Sequence, residues 1–294
     1  MVTKSAAAAV RRLISGSEDG LTDYVRELTA PGDAGLFGPQ SATWKVLSNS
    51  ATLTAGIRSL ILQSLDPLTV TGVARHSRFR SEPIGRLQMT ARFVTIAAFG
   101  TTNQIERECA MIRSLHERVK GTTSDGRHYS ASDPAQLRFV HIALIDSFLS
   151  SYQNFAANPL TDEDADRFVA EWNAVAPLLG FESLDLPTNQ KQLSVMLADY
   201  GKGFQVGAEA VEALKFISSP PLPAAMKPFY GLMLTGAAGT LPHYARRMLP
   251  RTIPSPGPLT TKIVGTLAVR ASGEILGTSP AYQAALARVT GQKK

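Results

Sequence analysis

The chain of 294 residues is short of cysteine, of charge and of strand signals. Its one cysteine, Cys109, permits no intrachain disulfide and no cysteine-held zinc cluster. Charged residues make up 18% and hydrophobic residues 44%. An average soluble chain is about 25% charged. A disordered chain needs the opposite balance, so that class is excluded. Long apolar runs are missing too. The most apolar uncharged stretch, Phe229–Leu241, has 13 residues, below the roughly 20 that a membrane-crossing helix needs. The N-terminus lacks an apolar core of secretory type. No GxGxxG, P-loop, GxSxG or HExxH motif occurs, and no ExxH pair of di-iron type. Metal or haem chemistry must therefore lean on five histidines: His76, His116, His128, His141 and His243.

The formal net charge is +6, with 20 arginines and 10 lysines. The cations form no tail and are not interleaved with aromatics, which argues against nucleic acid as a partner. An anionic membrane surface suits the same charge. The expected location is cytoplasmic, with a peripheral membrane contact around Phe229–Arg247.

Helix signals dominate. Helices are expected over Ser5–Ile14, Leu21–Leu28, Thr52–Leu65 and from Pro67 to about Arg75. Further ones run from Pro83, capped by Ser81, to Phe99, and from Thr101 or Thr102 to Lys120-Gly121. A polar loop follows. Ser132 is expected to cap a helix opened by Asp133-Pro134 and reaching about Ala156. Thr161 resembles the start of a capping box, with a helix ending near Gly180. Thr188 caps another, and Gly207–Ile217 forms one more. Proline-rich connectors cover Ser218–Pro223 and Arg251–Pro258, and residues 259–290 make one or two terminal helices. This is an all-α fold: a single multi-helix domain with a C-terminal helical extension. N-terminal helices cover 1–30, the main helical domain 31–217 and the extension 218–294.

Two helices each carry a histidine in an apolar stripe. Ile105, Cys109, Ile112 and Val119 mark one helix face, and His116 fills its gap. Leu137, Leu144, Phe148 and Tyr152 mark another, and His141 fills that one. The plain reading is a pair of hydrogen-bonded core histidines. The chemical reading makes one a metal or haem ligand and the other a pocket wall. Spacing alone allows either histidine to be the ligand.

Arg86 and Thr90, four apart, share a helix face. Together they suit dioxygen, a propionate or a substrate carbonyl; the plain alternative is an Arg86–Glu82 ion pair. His76 and His128 fall in expected loops, with the cationic run Arg75–Arg80 as a possible anion site. His243 is expected to be exposed. The carboxylates at 162–166 read as charges complementing a helix start.

These residues, taken in order, resemble the MpaB-type oxygenase family, which includes the catalytic domain of the rubber oxygenases, or latex-clearing proteins. The resemblance rests on GPQSATWKVLSN, AGIRSLILQSLDPLTVTGVARHSRF, GRLQMTARFVTIAAFGT, MIRSLHERVKGTTSDGRHYSASDP and FVHIALIDSFL. It runs from about Leu36 to Gly180 and more weakly to about Arg247. It implies a globin-like helical core, haem b with its iron, dioxygen, and a hydrophobic substrate, isoprenoid-like or aromatic. It implies His116 as the iron's axial ligand, Arg86 and Thr90 on the distal side, and His141 as a further cofactor-binding residue. Met89 stands where the family's lysine is expected, and Leu65-Asp66-Pro67 where His-Pro is expected. Asp66 therefore remains open as an acid or base. Two other readings stay open: a helical protein that binds haem or a lipophile without turnover, and an interaction protein with a peripheral membrane face.

Overall fold

In the computed structural model, residues 21–77, 83–181 and 185–291 are described, with Ala8, Arg11, Ser17 and Asp19 before them. The helix expected over Ser5–Ile14, apart from Ala8 and Arg11, and the residues Ser81 and Glu82 lie outside the described residues, as does the second half of the Arg75–Arg80 run. For Arg86 the backbone alone is described.

The helices are α1 (Asp23–Glu27), α2 (Ala42–Leu47), α3 (Ala51–Leu65), α4 (Pro67–His76), α5 (Pro83–Phe99) and α6 (Thr102–His116). A hairpin of β1 (Lys120–Thr122) and β2 (His128–Ser130) follows. Then come α7 (Pro134–Phe155), α8 (Asp162–Trp172), α9 (Ala176–Leu179), α10 (Gln190–Gly201) and α11 (Ala208–Ser218). The chain closes with α12 (Lys227–Gly239), α13 (His243–Arg246), α14 (Pro258–Leu276) and α15 (Pro280–Thr290). The fold is all-α, as expected from the sequence, and forms one domain around one main core.

Local chemistry explains the breaks. Asp66 ends α3 before Pro67, and its carboxylate accepts from the Thr69 backbone N–H at 2.8 Å. Thr101 and Gln104 form a reciprocal capping box that starts α6. Asp133 caps α7, where Ser132 was expected, and Asn189 caps α10 in place of Thr188. In both cases the residue nearer the helix has its side-chain oxygen within reach of the first-turn N–H groups.

The largest departure lies after α6. The helix expected to reach Lys120-Gly121 stops at His116, and the expected polar loop is an antiparallel hairpin. The Asp125-Gly126 turn makes it, with Gly126 at φ +87° and the Thr123 N–H donating to Arg127 O at 2.8 Å. His128 therefore sits in β2 and His76 at the end of α4, neither in the loop expected for it. His76 Nε2 lies 3.0 Å from the buried Tyr129 hydroxyl. The six-residue α2 was also not foreseen: it is buried at all but one position and shows no amphipathic period.

The centre of the body is the packing of α3 on α7, with α12 against α3 and α14 across α12 and α7. Arg58 of α3 is only 2% exposed. Its Nη1 donates to Ser147 Oγ of α7 at 3.0 Å and pairs with the Asp146 carboxylate. The pairing with Asp146 Oδ2 is coulombic, since that oxygen receives no well-aligned hydrogen bond. Nε and Nη2 of Arg58 donate to Thr240 O, at the C-terminal end of α12. One guanidinium therefore ties three helices.

α12 and α14 meet through glycines. A Cβ on Gly265 would stand 2.1 Å from the Phe155 ring, and one on Gly236 would stand 3.0 Å from Gly265 Cα. Leu234, Ala237 and Ala238 of the apolar Phe229–Leu241 segment are buried. Among the described residues no helix is long and apolar enough to cross a membrane.

Two stability predictions follow from this packing. Arg58→Ala leaves Asp146 without its cation and is expected to lower unfolding free energy by about 3–5 kcal/mol. Gly265→Val is expected to cost about 1–3 kcal/mol through overpacking on Phe155. Denaturant titration of each variant checks both, and a wild-type midpoint in either contradicts the packing described.

Candidate functional site

α5 and α6 form a helical hairpin closed at Gly100-Thr101. Arg92 of α5 makes a forked contact with Glu108 of α6, with Nη2 to Oε2 at 2.8 Å and Nε to Oε2 at 3.0 Å. Glu108 is buried and Arg92 half-exposed. This pair fixes the register of the two arms. Beyond it, away from the turn, α6 runs eight residues to His116, or about 12 Å. α5 runs back six residues to Arg86, or about 9 Å. His116 and the Arg86–Thr90 turn thus belong to the same open end of the hairpin.

The two histidines of the sequence stripes differ sharply. Ile105 and Cys109 are buried as expected, and burial pushes the Cys109 thiol up to about 12. A protonated thiol of that kind is inert packing. Further along, Ile112, His116 and Val119 are only half-buried, because the helix ends and the hairpin leads the chain away. His116 is thus the last residue of α6, where a core position was expected. Desolvation holds its pKa below the ordinary histidine value, so its imidazole is neutral at pH 7. No group among the described residues hydrogen-bonds its ring.

His141 is enclosed. Its Nε2 lies 3.4 Å from Asn173 Oδ1, and Asn173 in turn donates to Pro187 O at 2.9 Å. Phe181 and Trp172 stand edge-on to the imidazole, at 5.3 and 6.5 Å between ring centres. Burial lowers its pKa to about 4, with the Asn173 contact opposing.

A mainly apolar cavity of about 320 Å³ lies between α3, α5, α7 and α12. Thr90 and Val94 of α5, Leu60 of α3, Leu144 and Phe148 of α7 and Tyr230 of α12 are among its walls. Among its polar walls, Ser59 accepts from Gln63 Nε2 at 2.7 Å, and the Tyr230 hydroxyl donates to Ile217 O at 2.6 Å. Thr90 reaches this cavity; His116 and His141 do not line it. Periodicity in the sequence could not have found the contribution of α12, which closes the chamber from a distant part of the chain.

The remaining candidates have other roles. Asp66 is spent as the cap of α4. Met89 is exposed. His243 is exposed, as expected. Of the carboxylates at 162–166, Asp164 faces Lys45 and Arg167, and Asp166 accepts from the Gln190 N–H at 2.8 Å. Among the described residues no group of three or more His, Cys, Asp or Glu side chains comes together as a metal site.

An all-α body with an apolar chamber walled partly by α5 suits an enzyme that handles an apolar molecule away from water. Residues 44–270 match the family described as ER-bound oxygenase mpaB/B'/rubber oxygenase, catalytic domain. That is most of the chain, and the protein belongs to this family of oxygenases. No curated protein and no solved structure matches the chain.

The state of His141 makes a pH prediction. An unfolded histidine takes up a proton below about 6.5, whereas the folded one resists until about 4. The stability contributed by neutral His141 is full above pH 6.5 and is lost as the pH falls toward 4. His141→Gln is expected to flatten this part of the stability profile, read by denaturant titration across pH 4–7. An unchanged slope contradicts the burial of His141.

Proposed function

We propose that this oxygenase depends on haem b and acts with dioxygen on a hydrophobic small molecule, with His116 as the axial ligand. The observation that carries the reading is the His116 imidazole: neutral through desolvation, uncommitted, and at the open end of the hairpin that bears Arg86 and Thr90. A porphyrin brings four nitrogens of its own and asks the protein for an axial group. A neutral imidazole with a spare ring nitrogen fits that requirement. His141 fits it poorly, because Asn173 and two aromatic rings already surround it.

Bound haem supplies the electron and dioxygen chemistry that side chains lack. The chain contributes the rest. Arg86 and Thr90 share one face of α5 and would orient a polar atom on the distal side. Thr90, already a wall of the chamber, offers a hydroxyl there. Leu60, Val94, Leu144 and Phe148 exclude water and hold an apolar substrate, isoprenoid-like or aromatic. Met89 of the same helix is exposed.

Met89 also favours a second reading, in which the protein binds haem or a lipophile without turnover. It stands where the resemblance implies a lysine, so no cation is offered at that position. Dioxygen consumption with a reductant and terpenoid or quinol substrates separates the two readings.

Protein expressed with added haem is expected to show a Soret band. The band should be lost or strongly weakened in His116→Ala and retained in His141→Ala. A colourless wild-type protein overturns the haem reading, and loss confined to His141→Ala overturns the choice of ligand.

A further inference from the structure

The charge of this chain is unevenly spread. Residues 219–294 hold nine Lys or Arg and a single acid, Glu274, which gives this segment +8 where the whole chain carries +6. The longest helix of this segment is α14. Its inner face, with Thr261, Gly265, Ala268 and Ser272, is buried on α12 and α7. Its outer face carries Leu259, Ile263 and Leu267, which are 74%, 51% and 54% exposed. Four-residue spacing places these three in one row along the helix. A branched apolar row facing water has an unfavourable free energy unless something covers it. Lys262 and Arg270, both exposed, flank and end the row. Lys262 donates to Asn154 O at the end of α7. Arg251 and Lys227 are exposed just before α14 and at the start of α12.

We propose that the outer face of α14 docks on an anionic lipid surface. The apolar row enters the headgroup boundary, and the surrounding cations meet lipid phosphates. The two features together select this occupant. A second copy would bring the exposed Lys262 and Arg270 of one α14 face against the same two cations of another, so charge opposes that pairing. A nucleic acid would use the cations but leave the apolar row uncovered, and no aromatic side chain stands in the row for bases to stack on. A lipid surface satisfies both. The helix is amphipathic and firmly packed, so binding requires no opening of the fold. The partly buried Phe229–Leu241 segment is not needed for it.

The test uses the full chain with vesicles of phosphatidylcholine alone and of phosphatidylcholine with 30% phosphatidylglycerol. Co-sedimentation is expected with the anionic vesicles and not with the neutral ones, and is expected to weaken in 0.5 M salt through screening. Ile263→Glu with Leu267→Glu is expected to weaken binding by about tenfold or more. The milder set Leu259→Ala, Ile263→Ala and Leu267→Ala should weaken it in the same direction while the melting curve stays that of wild type. Three results overturn the proposal: no binding to anionic vesicles, equal binding by these variants, or a concentration-dependent dimer in gel filtration that Ile263→Glu abolishes. Haem content does not enter the readout, so a colourless protein leaves this test intact.

Discussion

A single buried cation organises this molecule. Arg58 is withdrawn from water on α3, and its donors are answered from two other helices: Nη1 by Asp146 and Ser147 on α7, and Nε and Nη2 by the Thr240 carbonyl at the end of α12. Burying a guanidinium is costly unless charge and hydrogen bonds are both met, and that requirement admits few relative positions of the three helices. These helices also form walls of the apolar chamber, through Leu60, Leu144, Phe148 and Tyr230. The shape of the chamber thus depends on a polar contact outside it. Glycine contacts at Gly236 and Gly265 bring α12 and α14 close one turn before Thr240, so charge and close packing pin the same end of α12.

The second constraint is the Arg92–Glu108 fork. It fixes α5 against α6 about midway along both helices. α5 carries Arg86, Met89 and Thr90, and α6 ends on His116. The hairpin strands replace the last turn expected for α6, so His116 escapes full burial and keeps an uncommitted ring. His141 has the opposite fate. The sequence stripes present the two histidines as equivalents, but tertiary packing makes His141 a core residue and leaves His116 half-buried at the end of α6.

Much of the fold was legible because its punctuation is local. Pro67, the Thr101–Gln104 box, Pro134 and Thr161 mark helix starts by hydrogen bonds within a few residues. The all-α class and the order Arg86, Thr90, His116, His141 could be read the same way. What escaped was non-local or too short to show a period. The three-residue strands gave only an Asp125-Gly126 turn signal, and α2 is buried on nearly every side. Arg58 sits in an otherwise uncharged helix, and nothing in its own neighbourhood announces partners about 90 and 180 residues away. The participation of Tyr230 in the chamber is of the same kind.

The central proposal is that His116, and not His141, is the imidazole that would hold haem. The most direct measurement is chemical rescue: haem is added to His116→Gly, and exogenous imidazole is titrated in while the absorption spectrum is followed. The account predicts weak or altered haem binding that imidazole restores toward the wild-type spectrum in a saturable way. A wild-type spectrum in His116→Gly without imidazole, or rescue seen only in His141→Gly, would contradict it.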